Sequence, residues 1–189
     1  AMTFSDAIGS AQPLAGLTIT QSDGVTFNST LDITDGSAGT LTVTDTEDGS
    51  DITFNGAVTL EAVSFAAAGY DLVFNGSGNT FANAATFQNT GTLNLGNASG
   101  DTFVFDAGLT ESTTGTVTLA GSIDSTNDDI TFGAITLATA TTIDTNASDT
   151  TGDIIIGAVT GANNSLTLDT TTTTGSADIT FNGDINLGT

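Results

Sequence analysis

Apolar and polar residues alternate in short runs along most of this chain, and one run recurs. Asp51-Ile-Thr-Phe-Asn-Gly-Ala-Val-Thr-Leu60 sets Ile52, Phe54, Val58 and Leu60 on one side of an extended backbone, with polar residues between them. Period-two alternation of this kind belongs to a strand with one buried face. The run returns as Asp71-Leu-Val-Phe-Asn-Gly76, Thr102-Phe-Val-Phe-Asp-Ala107 and Asp129-Ile-Thr-Phe-Gly-Ala-Ile-Thr-Leu137. Further copies are Asp153-Ile-Ile-Ile-Gly-Ala-Val159 and Asp178-Ile-Thr-Phe-Asn-Gly-Asp-Ile-Asn-Leu187, and Gly24-Val-Thr-Phe-Asn28 is an earlier, worn one. The first two full copies begin 20 residues apart, and the last three begin 24 and 25 apart.

Asn-Gly or Gly-Ala interrupts each alternation, which predicts a tight corner where Asn and Gly take positive φ. Between copies lies a third alternating piece, such as Leu41-Thr-Val43, Leu93-Asn-Leu95, Val117-Thr-Leu119 or Leu166-Thr-Leu168. Three short strands per period predict a coil of parallel strands in which each period is one rung. Tandem β-sandwiches would need longer strands and more Pro in their linkers than the single Pro13. The expected fold class is therefore all-β, a parallel β-helix (β-solenoid) of about seven or eight rungs with three short strands each. At ~4.8 Å per strand the rod would be roughly 35–40 Å long. Residues 1–16 read as an N-terminal lead-in or cap, and 17–189 as a single β-solenoid repeat domain.

Stacking gives the repeated positions a physical role. Phe54, Phe74, Phe105, Phe132 and Phe181 share one slot of the run, which predicts one internal aromatic ladder, broken where Ile156 fills that slot. Burying each such side chain stabilises by roughly 1.5–3 kcal/mol. Asn55, Asn75 and Asn182 follow at the corner and predict an amide ladder. Thr, about a fifth of the chain, suits the outward strand positions.

Composition narrows the function. The 189 residues contain no Lys, Arg, His, Cys or Trp, and their 22 Asp and Glu give a formal charge of −22. Charged residues of both signs normally make up about a quarter of a chain, so the missing cations reflect selection or repeat duplication. Such a surface repels polyanions, which argues against nucleic acid and anionic membrane as partners and for divalent cations as counter-ions. No stretch approaches the ~18 apolar residues of a membrane span. The apolar fraction of 38%, regularly patterned, favours a folded chain over an acidic disordered one. No trypsin site exists, which suits life outside the cell. Ala1-Met2 reads as the start of a fragment or a processed end, and Asp184 to Thr189 stops partway through a repeat.

Asp178-Ile-Thr-Phe-Asn-Gly and Gly161-Ala-Asn-Asn-Ser-Leu-Thr-Leu resemble repeats of large bacterial surface proteins of the filamentous-haemagglutinin and autotransporter type. The resemblance spans roughly residues 17–189. It implies a right-handed β-helix, export to the cell exterior, and a role in adhesion or as a stalk. The chain departs from many such proteins in lacking every basic residue.

Candidate chemistry is confined to carboxylates and hydroxyls. No His, Lys or Cys can activate a Ser or Thr nucleophile, and no imidazole or thiolate can hold zinc. Paired carboxylates can hydrolyse glycosides, and the dense groups are Asp128-Asp129 and the set Asp45, Glu47, Asp48 and Asp51. Asp51 and Asp129 share the first position of the run with Asp71, Asp153 and Asp178, so a turn residue bonding nearby backbone N–H groups is the simpler reading. Thr44 to Asp51 offers oxygen ligands for Ca²⁺ without the EF-hand spacing, and a solvated acidic loop is the plainer account. Thr18-Ile-Thr20, Thr42-Val-Thr44 and Thr116-Val-Thr118 have the form of an ice-binding face but are unevenly spaced. Asn28, Asn75, Asn97, Asn146 and Asn163 each begin an N-x-S/T triplet, about as many as chance would supply. No catalytic, cofactor-binding or metal residue is assigned. The expected function is a non-enzymatic, rigid acidic segment of an extracellular or cell-surface adhesin or fibre. Its rivals are a filament subunit joined end to end to copies of itself, and a module binding glycans or Ca²⁺.

Overall fold

Alternating in-and-out strands joined by tight corners can bury their apolar side only by coiling around it, and the chain does so. A computed structural model describes residues 1–36, 39–112, 115–146, 152–171 and 176–188, and among them there is no helix. Strands stack in three columns, and the pairings between turns are parallel. The first column is β1 (Met2–Phe4), β3 (Val25–Phe27), β6 (Asp51–Phe54), β9 (Asp71–Phe74) and β12 (Leu93–Leu95). It continues through the first halves of β15 (Val117–Ser125) and β17 (Ile135–Asp144) to β19 (Val159–Thr160) and β22 (Ile185–Asn186). The second column is β4 (Leu31–Ile33), β7 (Val58–Leu60), β10 (Asn79–Phe81), β13 (Thr102–Phe105), the second halves of β15 and β17, and β20 (Leu166–Asp169). The third holds β2 (Gly16–Ile19), β5 (Thr40–Val43) and β8 (Ala62–Phe65), then β11 (Ala85–Phe87), β14 (Leu109–Glu111), β16 (Ile130–Phe132), β18 (Ile154–Ile156) and β21 (Ile179–Phe181).

The result is a β-solenoid with seven complete three-strand turns, β3–β4–β5 being the first of them and β19–β20–β21 the last. Solenoid pairing begins before residue 17, because Met2, Thr3 and Phe4 stand in register with Val25, Thr26 and Phe27, and Ile8 bridges to Leu31. Residues 1–16, read from sequence as a lead-in or cap, thus hold one strand of the stack, β1, together with the Ile8 bridge and the first residue of β2.

The aromatic slot does not form one ladder. Phe4, Phe27, Phe54 and Phe74 stack in the first column, with centroids 5.0, 5.1 and 4.7 Å apart and planes within 13° of parallel. Leu95 and then Leu119 take over that slot in register. Phe105 lies in the second column, stacked on Phe81 at 4.6 Å. Phe132 and Phe181 lie in the third, with Ile156 in register between them. The recurring run thus specifies a strand and its corner, and the connections decide which of three equivalent faces it joins.

The corners differ from expectation in their cause. Asn55-Gly56, Asn75-Gly76 and Asn182-Gly183 take no positive φ. Glycine is needed there because the turns approach closely: a Cβ on Gly76 would run into the Gly56 carbonyl, and one on Gly56 into the Ser29 backbone. The amide ladder is present but built differently. Asn55 Nδ2 donates to Asn28 Oδ1 and Asn75 Nδ2 to Asn55 Oδ1, each at 3.0 Å, whereas Asn182 sits in the third column outside it.

Asn79 is a core residue that the alternation did not reveal. It is fully buried, accepts from the Val58 N–H at 3.2 Å and donates to Gly76 O at 2.6 Å and Thr102 O at 3.3 Å. One side chain thereby satisfies backbone groups of three successive turns, as a buried amide must.

Candidate functional site

Three of the five repeated first-position Asp residues, Asp71, Asp129 and Asp153, bond backbone through their carboxylates. Asp129 Oδ1 accepts the Asp153 N–H and Asp153 Oδ1 accepts the Asp178 N–H, both at 2.8 Å. Asp71, in register with Asp51, accepts the Thr92 N–H of the following turn. Each such carboxylate fastens the start of one strand to the start of the strand stacked on it, which extends the turn role read from sequence across rungs. Asp128 and Asp129 also border an open, polar groove of about 210 Å³ floored by small residues including Ala107 and Gly108.

In the loop from Thr44 to Asp51, Thr46 turns inward while Asp45, Glu47 and Asp48 are exposed. The Glu47 N–H donates to Ser22 O at 3.0 Å and the Gly49 N–H to Gly69 O at 2.9 Å, so the loop is laid onto loops of adjoining turns. Among the described residues no three Asp or Glu side chains converge closely enough to hold a metal ion.

A third acidic feature was not singled out from sequence. Asp124, Asp144 and Asp169 project outward from the second column in register. Its trace is the repeated Ser122-Ile-Asp-Ser125 and Thr142-Ile-Asp-Thr145. Burial pushes the Asp124 carboxyl above the usual carboxylate range; the Ser122 hydroxyl, donating at 2.6 Å, opposes this, and the Asp144 charge adds to it. Asp169 is held below that range by the hydroxyl and N–H of Thr171. Asp144 Oδ1 accepts the Asn146 N–H at 2.8 Å.

Three ionisable groups are buried among the described residues: Asp101, Glu111 and Tyr70. Asp101 Oδ2 accepts the N–H groups of Asn97 and Ala98 at 2.8 and 2.9 Å. Glu111 lies in register with Phe87, in the slot that Phe132 fills one turn on, and its Oε2 accepts the Gly133 N–H at 2.9 Å. Burial raises the Tyr70 phenol well above its ordinary range, although its hydroxyl donates to Ala66 O at 2.9 Å.

The Thr-x-Thr pairs divide between faces. Thr18 and Thr42 are in register in the third column, while Thr118 lies in the first, where Val73 and Asn94 interrupt the file of outward Thr residues. Of the N-x-S/T triplets, Asn28 and Asn75 are engaged in the amide ladder, Asn97 and Asn163 are exposed, and the one at Asn146 runs outside the described residues. No helix among the described residues is long and apolar enough to cross a membrane. No family model, curated protein or solved structure matches the chain.

Proposed function

We propose that this chain is a non-enzymatic structural segment of a secreted or cell-surface protein, a stiff acidic rod of the adhesin-stalk kind. One observation carries the reading: an apolar interior runs through the stacked turns and is joined by parallel backbone ladders, while the acidic residues are spent on capping backbone or face water. A stack in which each turn contacts only its neighbours lengthens by adding turns and stays stiff along its axis. A cation-free exterior keeps such rods apart through like charge and leaves no cleavage site for trypsin-like proteases.

Antibody labelling of intact source cells tests this directly. The rod reading expects labelling without permeabilisation, and label appearing only after permeabilisation would remove it.

A further inference from the structure

The polar groove bordered by Asp128 and Asp129 lies on the flank of the stack, with β8 before it and β18 after it in the third column. Its origin is a change in corner length. Between the second and third columns the corner is residues 82–84 in one turn and 106–108 in the next, then 126–129, one residue longer. The two short corners make a floor, and the longer one makes a wall that carries Asp128 and Asp129. Wall and floor pack directly. A Cβ on Gly108 would meet the Asp129 carbonyl and the Asp128 side chain, and the Leu109 N–H donates to Asp129 O at 3.0 Å. The Ser125 hydroxyl donates to Asp128 O, and Asp129 Oδ1 accepts the Asp153 N–H. The groove is therefore formed before any ligand arrives, which spares the cost of ordering it.

Its polar groups are free to bind. Thr86 and Thr110 stand exposed and in register on adjoining strands. Neither hydroxyl, nor the exposed Asp128 carboxylate, is bonded to another described residue. Exposed Ala84 and Ala107 add a small apolar surface. With two carboxylates on its wall and no Lys, Arg or His in the chain, the groove repels anions, acidic sugars included. No aromatic ring lines it, so it offers no platform for stacking a base. What remains is a set of acceptors and hydroxyls around a small apolar patch. That set matches a ring bearing several hydroxyl donors and a C–H face. A volume of about 210 Å³ is below the ~300–1,000 Å³ of a drug-sized site and admits one such ring at a time.

We propose that this groove binds a neutral sugar unit of a glycan. Asp128 and Asp129 accept from its hydroxyls, and Thr86 and Thr110 complete the bonding. A carboxylate accepting from a hydroxyl makes the stronger, charge-assisted kind of hydrogen bond, and Asp129 has lone pairs to spare beyond its bond to the Asp153 N–H. The groove is open, so the rest of the glycan runs out over the flank of the rod. The stalk reading neither requires nor forbids a ligand there, and cell labelling and sugar binding succeed or fail independently.

Nuclear magnetic resonance titration of isotope-labelled protein tests the proposal, with neutral trisaccharides of glucose, mannose, galactose and N-acetylglucosamine as probes. The buffer holds about 0.15 M salt, which screens exposed charges beyond about 8 Å. At least one trisaccharide should bind with a Kd on the order of 1 mM or tighter, shifting amides around Thr86, Thr110 and Asp128. Asp128→Ala should weaken that binding about tenfold or more, and Thr110→Val about threefold. Thr42→Val, in the same column but away from the groove, should leave it unchanged, with circular dichroism showing all three variants folded. Putrescine, a cation without a ring, controls for mere charge attraction. If it shifts the groove amides as strongly as the best sugar does, the proposal falls. It falls too if no trisaccharide binds, or if both groove variants bind as wild type does. Should one groove variant fail to fold, the other still reads the site.

Discussion

Phe27 and Phe54 lie one turn apart and face to face, with ring centroids 5.1 Å apart and planes 4° from parallel. The pair is the middle of a four-ring stack, and both rings are buried, Phe54 completely. A solenoid has no second layer to support a damaged turn, so a cavity in this stack is borne by its two neighbours.

Phe54→Ala should therefore destabilise the fold by about 3–5 kcal/mol, the range for removing a buried aromatic side chain. Phe54→Leu should cost clearly less, because Leu95 and Leu119 occupy the same slot in later turns. Urea unfolding midpoints compare the two, and equal losses would show that the slot demands a ring.

The amide ladder separates two Asn residues that look alike in sequence. Asn55→Asp loses the donor to Asn28 and should cost about 0.5–1.5 kcal/mol, the worth of one hydrogen bond. Asn182→Asp, outside that ladder, should change stability by no more than about 0.5 kcal/mol. Thermal melts of the two variants side by side give the answer.

Gly76→Ala tests the close approach of turns. Its new methyl would meet the Gly56 carbonyl, and overpacking of this kind costs about 1–3 kcal/mol. Gly49 takes positive φ but has open space around it. Gly49→Ala should therefore lose stability through backbone strain alone, a loss that Gly49→Asn recovers in part. No such recovery is expected for Gly76→Asn, and denaturant titration distinguishes the two behaviours.

Titration of Asp124 sets a pH dependence. Its folded-state pKa is raised, so the native state holds that proton more tightly than the unfolded chain does. The resulting contribution is present below the ordinary carboxylate range, near pH 4, and is lost as pH rises through the folded pKa. Asp124→Asn should raise Tm at pH 7 and leave it unchanged near pH 3. Asp169 works in the opposite sense, its depressed pKa contributing stability at neutral pH that is lost on acidification. Calorimetry at the two pH values resolves both.

Much of this was legible in the residues. The alternation of Ile52, Phe54, Val58 and Leu60 wrote strand, corner and strand, and the structure has β6 and β7 there with those four side chains inside. Ile156 does stand in register between Phe132 and Phe181. The candidate acids were visible too, and the repeated Asp, read as a turn residue bonding nearby backbone N–H groups, does accept backbone N–H at Asp71, Asp129 and Asp153. What was not legible is that the partner belongs to the next turn, as with Asp129 and the Asp153 N–H. Asn79 was missed because one polar residue in an apolar slot cannot be told from an outward residue until its three backbone partners are assembled around it.

The sequence by itself determined the period-two strands, the corner after each run, the coil of parallel turns and the acidic character of the surface. These depend on local alternation and composition, which any one turn contains in full. Only the tertiary structure decided which face each copy joins. Asp51 and Asp71 begin copies 20 residues apart, a single turn within the first column, whereas the copy at Thr102 falls in the second and the one at Asp129 in the third. Three faces present the same environment to an alternating strand. The choice among them is therefore made by the length of each connection and by how its corner packs on the turn before it, and that is a property of neighbours rather than of the run itself.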